Sequence, residues 1–272
     1  MIQFPNAKIN LGLNVISKRK DGYHNIETFF LPIKNLYDVI EIVPVSGYSE
    51  DDQLSLSGIP IPGNAKDNLC LKALNLMRQH KNIPPLNIFI HKVIPIGSGL
   101  GGGSSNAAFM LKIINDLFEI GLNTHDLENI ASKIGADCAF FIGNNNIFAE
   151  GIGNVFSNVD VILPRMWVEI IVPQIHVSTS FAYQNIIPRR PLIDLKTAIN
   201  SPVESWREMI INDFELPIFE KYPELKEFKE KLYQNGAFYA SMSGSGSAIY
   251  GLFKHEPFIQ WDKSHFVYSG YI

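Results

Sequence analysis

Cysteine is scarce in this sequence: Cys70 and Cys138 are the two among 272 residues. They match neither the spacing of zinc ligands nor a CxxC redox motif, so we expect two reduced thiols. The chain also lacks a basic N-terminal segment leading into an apolar run, and it lacks an unbroken apolar stretch near the ~18 residues of a membrane span. We therefore expect a cytoplasmic protein without a membrane partner.

Basic residues are not in excess. The chain has 23 lysines and arginines against 27 aspartates and glutamates, and its formal net charge is −4. Without a basic surface, nucleic acid is not an expected partner. Hydrophobic residues make up 46% and charged residues 18%, which is the balance of a folded globular protein and not of a disordered one.

What the chain does contain is a mixture of strand and helix patterns without strict strand-helix-strand alternation. The predicted strands cover residues 7–18, 26–33, 38–45, 86–93, 166–173, 237–241 and 248–253. The predicted helices cover residues 68–80, 104–118, 124–135, 178–186, 202–210 and 224–236. This mixture predicts an α+β fold, which we divide into two domains, residues 1–155 and 156–272.

Polar segments separate these elements. Asp21-Gly22 predicts a turn between the first two strands, and residues 47–53 predict a second hairpin connection. Asp67 is predicted to cap the helix that follows it. The apolar face of that helix is predicted at Leu69, Ala73, Leu76 and Met77.

The stretch "GSGLGGGSS", Gly97 to Ser105, holds five glycines and three serines between a predicted strand and the strongest predicted helix. The backbone N–H groups of such a loop can close around phosphate oxygens, and the helix N-terminus adds roughly half a positive charge. Ser104 and Ser105 can cap that helix or reach phosphate or a metal. The alternative is a flexible loop that binds no ligand.

Two better-known phosphate loops do not fit this stretch. A P-loop needs GxxxxGK[ST], and no Lys-Ser or Lys-Thr follows a glycine here. The Rossmann pattern Gly97-x-Gly99-x-x-Gly102 can be read, but a following strand that ends in an acidic residue is missing. A second glycine stretch, "SMSGSGS" at 241–247, can approach a ligand or the first loop.

These stretches resemble those of the GHMP kinases, the family of galactokinase, homoserine kinase and mevalonate kinase. "PIGSGLGGGSSNAA" is similar to the family's ATP-phosphate loop, "SMSGSGSAIYGLF" to its C-terminal glycine motif, and "PNAKINLGL" to its N-terminal signature. The three motifs occur in the family's order and span residues 5 to 253. The resemblance implies an N-terminal ATP-binding domain with a ribosomal-protein-like fold, a C-terminal α/β sandwich domain, and ATP with Mg²⁺ as cofactors.

One branch of the family fits best. Asp21-Gly22-Tyr23-His24 and "IGADCAFFI" resemble the kinases that act on a cytidine-diphosphate-linked methylerythritol in non-mevalonate isoprenoid synthesis. The resemblance makes Asp137 the base at the acceptor hydroxyl and pairs it with Lys8. Without the resemblance, Asp137 would be a turn or capping aspartate and Lys8 an outward, solvated lysine. An ammonium beside Asp137 would keep the carboxylate ionised.

The resemblance also implies a cytidine pocket, in which Tyr23 stacks on the ring and His24 bonds its edge. Asn10 has the parity of Lys8 on a strand, so both side chains can reach one site. Thr179 and Tyr183 are one helical turn apart and form the opposite wall, with core packing as the alternative for Tyr183. The substrate contacts implied are Asn10, Tyr23, His24, Thr179 and Tyr183.

The nucleotide contacts implied include Asn68 for the base or sugar and Lys92 for phosphate or ribose, with an exposed strand-end lysine as the alternative for Lys92. Ser104 and Ser105 are assigned to phosphate or Mg²⁺. The full predicted set is Asn68, Lys92, Pro95, Ile96, Gly97, Ser98, Gly99, Leu100, Gly101, Gly102, Gly103, Ser104 and Ser105. Asn106 departs from the family, which usually has aspartate after "GGGSS", and this removes a carboxylate near the loop.

Two other functions stay open. The same fold can serve another small alcohol, as in homoserine or mevalonate kinases, although Tyr23 and His24 argue against it. A non-catalytic nucleotide-binding or RNA-associated protein on this scaffold is the other, and the net charge disfavours RNA. We expect a monomer or a weak homodimer.

Overall fold

The computed structural model describes residues 1–45 and 51–272. Two compact units are present, and each is assembled from three segments of the chain. Unit 1 comprises Met1–Ala7, Pro32–Ile96 and Gly101–Asn145, and unit 2 comprises Lys8–Leu31, Gly97–Leu100 and Asn146–Ile272. These interleaved units are a different division from the predicted domains 1–155 and 156–272, which stay a prediction.

The strands are, in chain order, β1 (Ile2–Gln3), β2 (Asn6–Lys18), β3 (His24–Tyr37), β4 (Val39–Pro44), β5 (Gln53–Gly58), β6 (Leu86–Lys92), β7 (Ile147–Glu150), β8 (Val155–Ser157), β9 (Trp167–Val172), β10 (Tyr239–Met242), β11 (Ile249–Phe253) and β12 (Phe266–Tyr271).

The α-helices are α1 (Leu69–Met77), α2 (Gly102–Leu117), α3 (Thr124–Ser132), α4 (Phe140–Gly143), α5 (Thr179–Gln184), α6 (Leu195–Ile199), α7 (Trp206–Met209), α8 (Glu215–Lys221) and α9 (Pro223–Gln234). Short 3-10 turns lie at Ala65–Asp67 and Val203–Ser205. Within the described ranges, none of these helices has the length and apolar content that crossing a bilayer requires.

Unit 1 contains the sheet β1-β4-β6-β5, in which β5 runs parallel to β6 and the other pairs are antiparallel. The hairpin predicted across residues 47–53 is wrong, because β6 lies between β4 and β5 among the described strands. Residues 47–50 of that predicted connection lie outside the described residues. One face of the sheet is buried through Ile40, Ile42, Ile88 and Ile90, where alternation along each strand directs every second side chain inward.

The first helix of unit 1 follows the predicted periodicity with a shift in phase. α1 buries Cys70, Ala73, Leu74 and Met77. Leu69 and Leu76, which were predicted on the buried face, are only half-buried. The predicted cap at Asp67 is also wrong: Asn68 caps α1, and its side chain accepts from the N–H of Cys70 at 2.9 Å. Aspartate and asparagine are both favoured caps, so adjacent candidates cannot be ranked by residue type.

Unit 2 contains the sheet β2-β3-β7-β8, in which β3, β7 and β8 are antiparallel, and the antiparallel sheet β10-β11-β9-β12. Residues 8–18 of β2 and 24–31 of β3 belong to this unit. Its core combines β-strand residues such as Val15, Ile171 and Ile249 with Leu225 and Leu232 of α9. The mixed α+β architecture predicted from the sequence is confirmed.

Candidate functional site

The glycine-rich loop follows β6 and leads into α2, as predicted. Its backbone is left-handed at Gly97, Gly99 and Gly101, with φ of +67°, +81° and +74°. At Gly99 two things exclude a side chain. The positive φ is unfavourable for any residue with a Cβ, and a Cβ here would collide with the carbonyl oxygen of Ser243. Glycine is therefore required here by backbone conformation and by a close approach.

The second glycine stretch contacts the first within unit 2. The Ser243 hydroxyl donates to the Gly99 carbonyl at 2.9 Å, and the Ala248 N–H donates to the Ser98 carbonyl at 2.9 Å. The sequence analysis left open whether residues 241–247 approach a ligand or the first glycine-rich loop. The approach to the first loop is confirmed.

The N-terminus of α2 has no side-chain cap within the described chain. Gly101 is the N-cap residue of this helix. Ser104 and Ser105 therefore do not act as caps; they lie inside the first turn, where Ser104 is half-buried. Ser105 is fully buried, and its hydroxyl has no hydrogen-bond partner among the described residues. The N-terminus of this 16-residue helix suits an anion through its backbone N–H groups.

Lys8 lies at the centre of a buried polar cluster in unit 2. Its side chain is 2% exposed, so the outward, solvated alternative is wrong. The ammonium donates to Asn10 Oδ1 at 2.5 Å, and Asn10 Nδ2 donates to the Thr28 hydroxyl at 3.0 Å. Thr28 in turn donates to the Gly12 carbonyl at 2.6 Å, and Tyr250 donates to the Asn10 carbonyl at 2.7 Å. These bonds fix Asn10, which accepts from the Lys8 ammonium.

Asp137 lies in unit 1, half-buried in the turn between α3 and α4. Its neighbour Cys138 is buried, and burial raises the pKa of that thiol to about 12. Lys8 belongs to unit 2. The pairing of Asp137 with Lys8 stays a prediction.

Lys92 ends β6 and is also buried, at 3% exposure, so the exposed strand-end alternative is wrong. Its ammonium forms an ion pair with Asp38 and donates to Asn106 Oδ1 at 3.3 Å. The ammonium also lies beneath the first residue of α2, because a Cβ at Gly102 would stand 3.0 Å from Nζ. A lysine in this place adds positive charge beside the start of the helix, offset by Asp38.

Two of the three aromatic residues predicted for the cytidine pocket, His24 and Tyr183, are in contact. The His24 and Tyr183 rings stack with centroids 5.0 Å apart, and Tyr183 meets Phe214 edge-on at 4.8 Å. Burial, followed by the positive charge of Lys18, lowers the pKa of His24, which favours the neutral ring. Tyr23 lies at the turn and is 61% exposed.

Thr179 and Asn68 are each engaged with the protein. Thr179 exchanges a 3.1 Å hydrogen bond with Ser245 of the second glycine stretch. Asn68 is half-buried as the cap of α1. Of the remaining predicted contacts, Ile96 is 40% exposed and Gly103 is exposed at the start of α2.

Several neighbours of the site were missed at the sequence level. Asp38, Thr28 and Asn212 are buried polar residues at these clusters, and His176 packs against Gly97. Thr28 could have been found by its parity with His24 on β3. The others carry no local signal, because each is defined by a contact with a distant part of the chain.

The chain belongs to the GHMP kinase family. The family pattern described as "GHMP kinases N terminal domain" matches residues 68–145, and "GHMP kinases C terminal" matches residues 195–257. A protein of Bacteroides thetaiotaomicron named 4-diphosphocytidyl-2-C-methyl-D-erythritol kinase is 48% identical over 273 residues, covering 99% of each chain. One of the same name from Azobacteroides pseudotrichonymphae is 48% identical over 93% of this chain and 94% of its own.

Solved structures agree with this assignment. A crystal structure of 4-(cytidine 5'-diphospho)-2C-methyl-D-erythritol kinase has a TM-score of 0.78 and 31% identity, and the match covers 93% of this chain and 90% of that one. Mevalonate kinase of Methanococcus jannaschii has a TM-score of 0.64 at 14% identity over 93% and 90%, which shows the shared fold.

Proposed function

We propose that this protein transfers the γ-phosphoryl group of ATP to the 2-hydroxyl of 4-diphosphocytidyl-2-C-methyl-D-erythritol, a step of non-mevalonate isoprenoid precursor synthesis. The observation that carries the proposal is the likeness along 99% of the chain to a kinase named for that substrate. The stacked His24 and Tyr183 support the substrate choice, because a flat pyrimidine is recognised by aromatic faces and ring-edge donors.

In this proposal Asp137 accepts the proton of the 2-hydroxyl as its oxygen bonds to the γ-phosphorus. The bond from that phosphorus to the bridging oxygen breaks, and ADP leaves. The Lys8 ammonium stabilises the negative charge that develops on the acceptor oxygen. Its buried bond to Asn10, whose amide is in turn bonded to Thr28, supports that role, because a group held in place needs no reorganisation during transfer. Direct transfer needs no phosphoenzyme.

The triphosphate is assigned to the glycine-rich loop and the start of α2. Left-handed glycines leave the loop's backbone N–H groups uncovered by side chains, and the uncapped helix start offers more of them. Mg²⁺ would offset phosphate charge when bound. In the described part of the chain no three His, Cys, Asp or Glu side chains form a metal-holding group. Nucleotide-bound Mg²⁺ fits such a site, since it keeps waters and takes few protein ligands.

The cytidine is assigned to the aromatic group around β3 and α5. Tyr23 provides an exposed ring face, and His24 provides a neutral imidazole that can both donate and accept. Tyr183 stacks against the His24 imidazole and supports it. Thr179 and Asn10 complete the set of proposed substrate contacts.

The test is ATP consumption by the purified protein with Mg²⁺ and each of three acceptors: the cytidine substrate, homoserine and mevalonate. The variants are Asp137→Asn and Lys8→Met, and the matched control for the first is Asp160→Asn, which alters an exposed aspartate. We expect turnover with the cytidine substrate alone, lost in both variants and kept in the control.

The other outcomes separate the competing functions. Turnover with homoserine or mevalonate would keep the kinase and overturn the roles given to Tyr23, His24 and Tyr183. ATP binding without turnover on any acceptor would favour a non-catalytic nucleotide-binding protein. Full activity of Asp137→Asn would remove Asp137 as the base.

A further inference from the structure

Asp38 is a fully buried carboxylate between β3 and β4 that accepts four hydrogen bonds. Its Oδ1 accepts from the backbone N–H groups of Val93 at 2.8 Å and Ile94 at 2.9 Å. Its Oδ2 accepts from Asn106 Nδ2 at 2.9 Å and from the Lys92 ammonium. Every donor is provided by the protein, so this carboxylate is satisfied where it stands.

These donors lie on both sides of the glycine-rich loop. Val93 and Ile94 are the residues through which the chain leaves β6 for the loop, and Asn106 stands in α2, directly after the loop. One carboxylate therefore fixes the chain before the loop and the helix after it. A change at Asp38 would therefore remove hydrogen bonds at both ends of the loop at once.

The charges in this cluster cancel. One carboxylate, Asp38, faces one ammonium, Lys92, and the third member is the neutral amide of Asn106. An aspartate at position 106 would give the buried cluster a net negative charge beside the start of α2. That charge would oppose the binding of a phosphate at the helix N-terminus.

We propose that Asp38 is a positioning residue for the phosphate-binding loop, and that Asn106 is the neutral partner that lets Asp38 and Lys92 balance each other. This inference rests on the proposed function only in requiring that the loop binds ATP.

The test measures the Kd of ATP by calorimetry, with the acceptor absent, and the Tm of each full-length variant. The variants are Asp38→Asn, Asn106→Asp and the double exchange of both. The matched control is Asp52→Asn: Asp52 also pairs with a cation, Arg78, and accepts from a backbone N–H of β6, that of Leu86 at 2.9 Å. It acts at the opposite end of β6, away from the loop.

We expect each single variant to weaken ATP binding by about tenfold, since each leaves a buried charge without its balance. The double exchange is expected to recover most of that loss. The amide oxygen introduced at position 38 can accept from the two backbone N–H groups, while the carboxylate introduced at position 106 pairs with Lys92. Asp52→Asn is expected to lower the Tm and leave the Kd of ATP within about twofold.

The inference is overturned if Asp38→Asn lowers the Tm as Asp52→Asn does but keeps the ATP affinity. It is also overturned if the double exchange binds ATP no better than the weaker single variant. If Asp38→Asn does not fold, Asn106→Asp and the double exchange decide. If the unmodified protein does not bind ATP, both the proposed function and this inference are refuted. If it binds ATP without turning over any acceptor, only the proposed function is refuted.

Discussion

The hydroxyl of Ser243 donates to the backbone carbonyl of Gly99, although 144 positions separate the two residues in the chain. Ser243 is fully buried and Gly99 is half-buried, so water reaches this bond only in part. A side chain of the C-terminal glycine stretch thus fixes a peptide plane of the N-terminal one. The two glycine-rich motifs of the sequence act as one structural element.

Gly99→Ala is expected to weaken ATP binding by at least about tenfold and to destabilise the fold by about 2–4 kcal/mol, because the new Cβ must displace the Ser243 carbonyl. The control is Gly121→Ala, which has the same φ of +81° but open space around its Cβ position. That variant carries the left-handed strain alone, roughly 1–2 kcal/mol. Urea unfolding and ATP titration measure both. Equal effects in the two variants would contradict the role of the close approach.

Asn212 holds the second glycine stretch by donating to the carbonyls of Met242 and Gly244, each at 2.8 Å, while accepting from the Phe214 N–H. It is buried, so Asn212→Ala removes a donor from each of these carbonyls, of which Met242 keeps the Ser241 hydroxyl at 3.3 Å, and is expected to destabilise the fold by about 2–4 kcal/mol. Asn185→Ala removes a comparable amide bond at an exposed site and is the control. The free energy of unfolding in urea measures both. A loss for Asn212→Ala no larger than the control's would show that the stretch does not depend on Asn212.

His24 is expected to titrate below its ordinary pKa of 6.5, since burial opposes its charged form. The unfolded chain binds this proton more readily, so the free energy of unfolding contributed by His24 falls as the pH drops through 6.5 and levels off below the folded pKa. NMR titration of the imidazole, identified by its loss in His24→Gln, measures the midpoint. Lys18→Gln is expected to raise it. A midpoint at or above 6.5 would contradict the buried, neutral ring.

Both cysteines are expected to resist alkylation in the folded protein. Cys70 and Cys138 are buried free thiols, and burial raises the pKa of each to about 12. Near pH ~8 few of them form the reactive thiolate, and reagents cannot reach the sulfur. A thiol-specific dye is expected to label neither in the native state and both in denaturant. Rapid native labelling of one cysteine would show that its surroundings open.

The features predicted correctly from the sequence are those carried by local patterns. The strand before the glycine-rich loop and the helix after it follow from apolar periodicity, and the shared orientation of Lys8 and Asn10 follows from the two-residue repeat of a strand. The left-handed conformation at Gly99 agrees with the residue type that tolerates it best.

The features that were missed depend on contacts between distant residues. Nothing near Asp38 in the chain indicates that it pairs with Lys92, 54 positions later. The hairpin at 47–53 failed for the same kind of reason: β6, which comes later in the chain, takes the place beside β4. Pairing of this kind is decided by tertiary packing, which single-sequence patterns do not encode.

The interleaving of the two units has a consequence for anyone who would dissect the protein. A fragment ending at residue 155 would contain residues 8–31 of unit 2 but none of β9, β10 or β11, whose residues Ile171 and Ile249 share a core with Val15. The complementary fragment would expose the other half of that core. No single cut in the chain releases either unit whole, so expression of separate halves is expected to give aggregation-prone material instead of working domains.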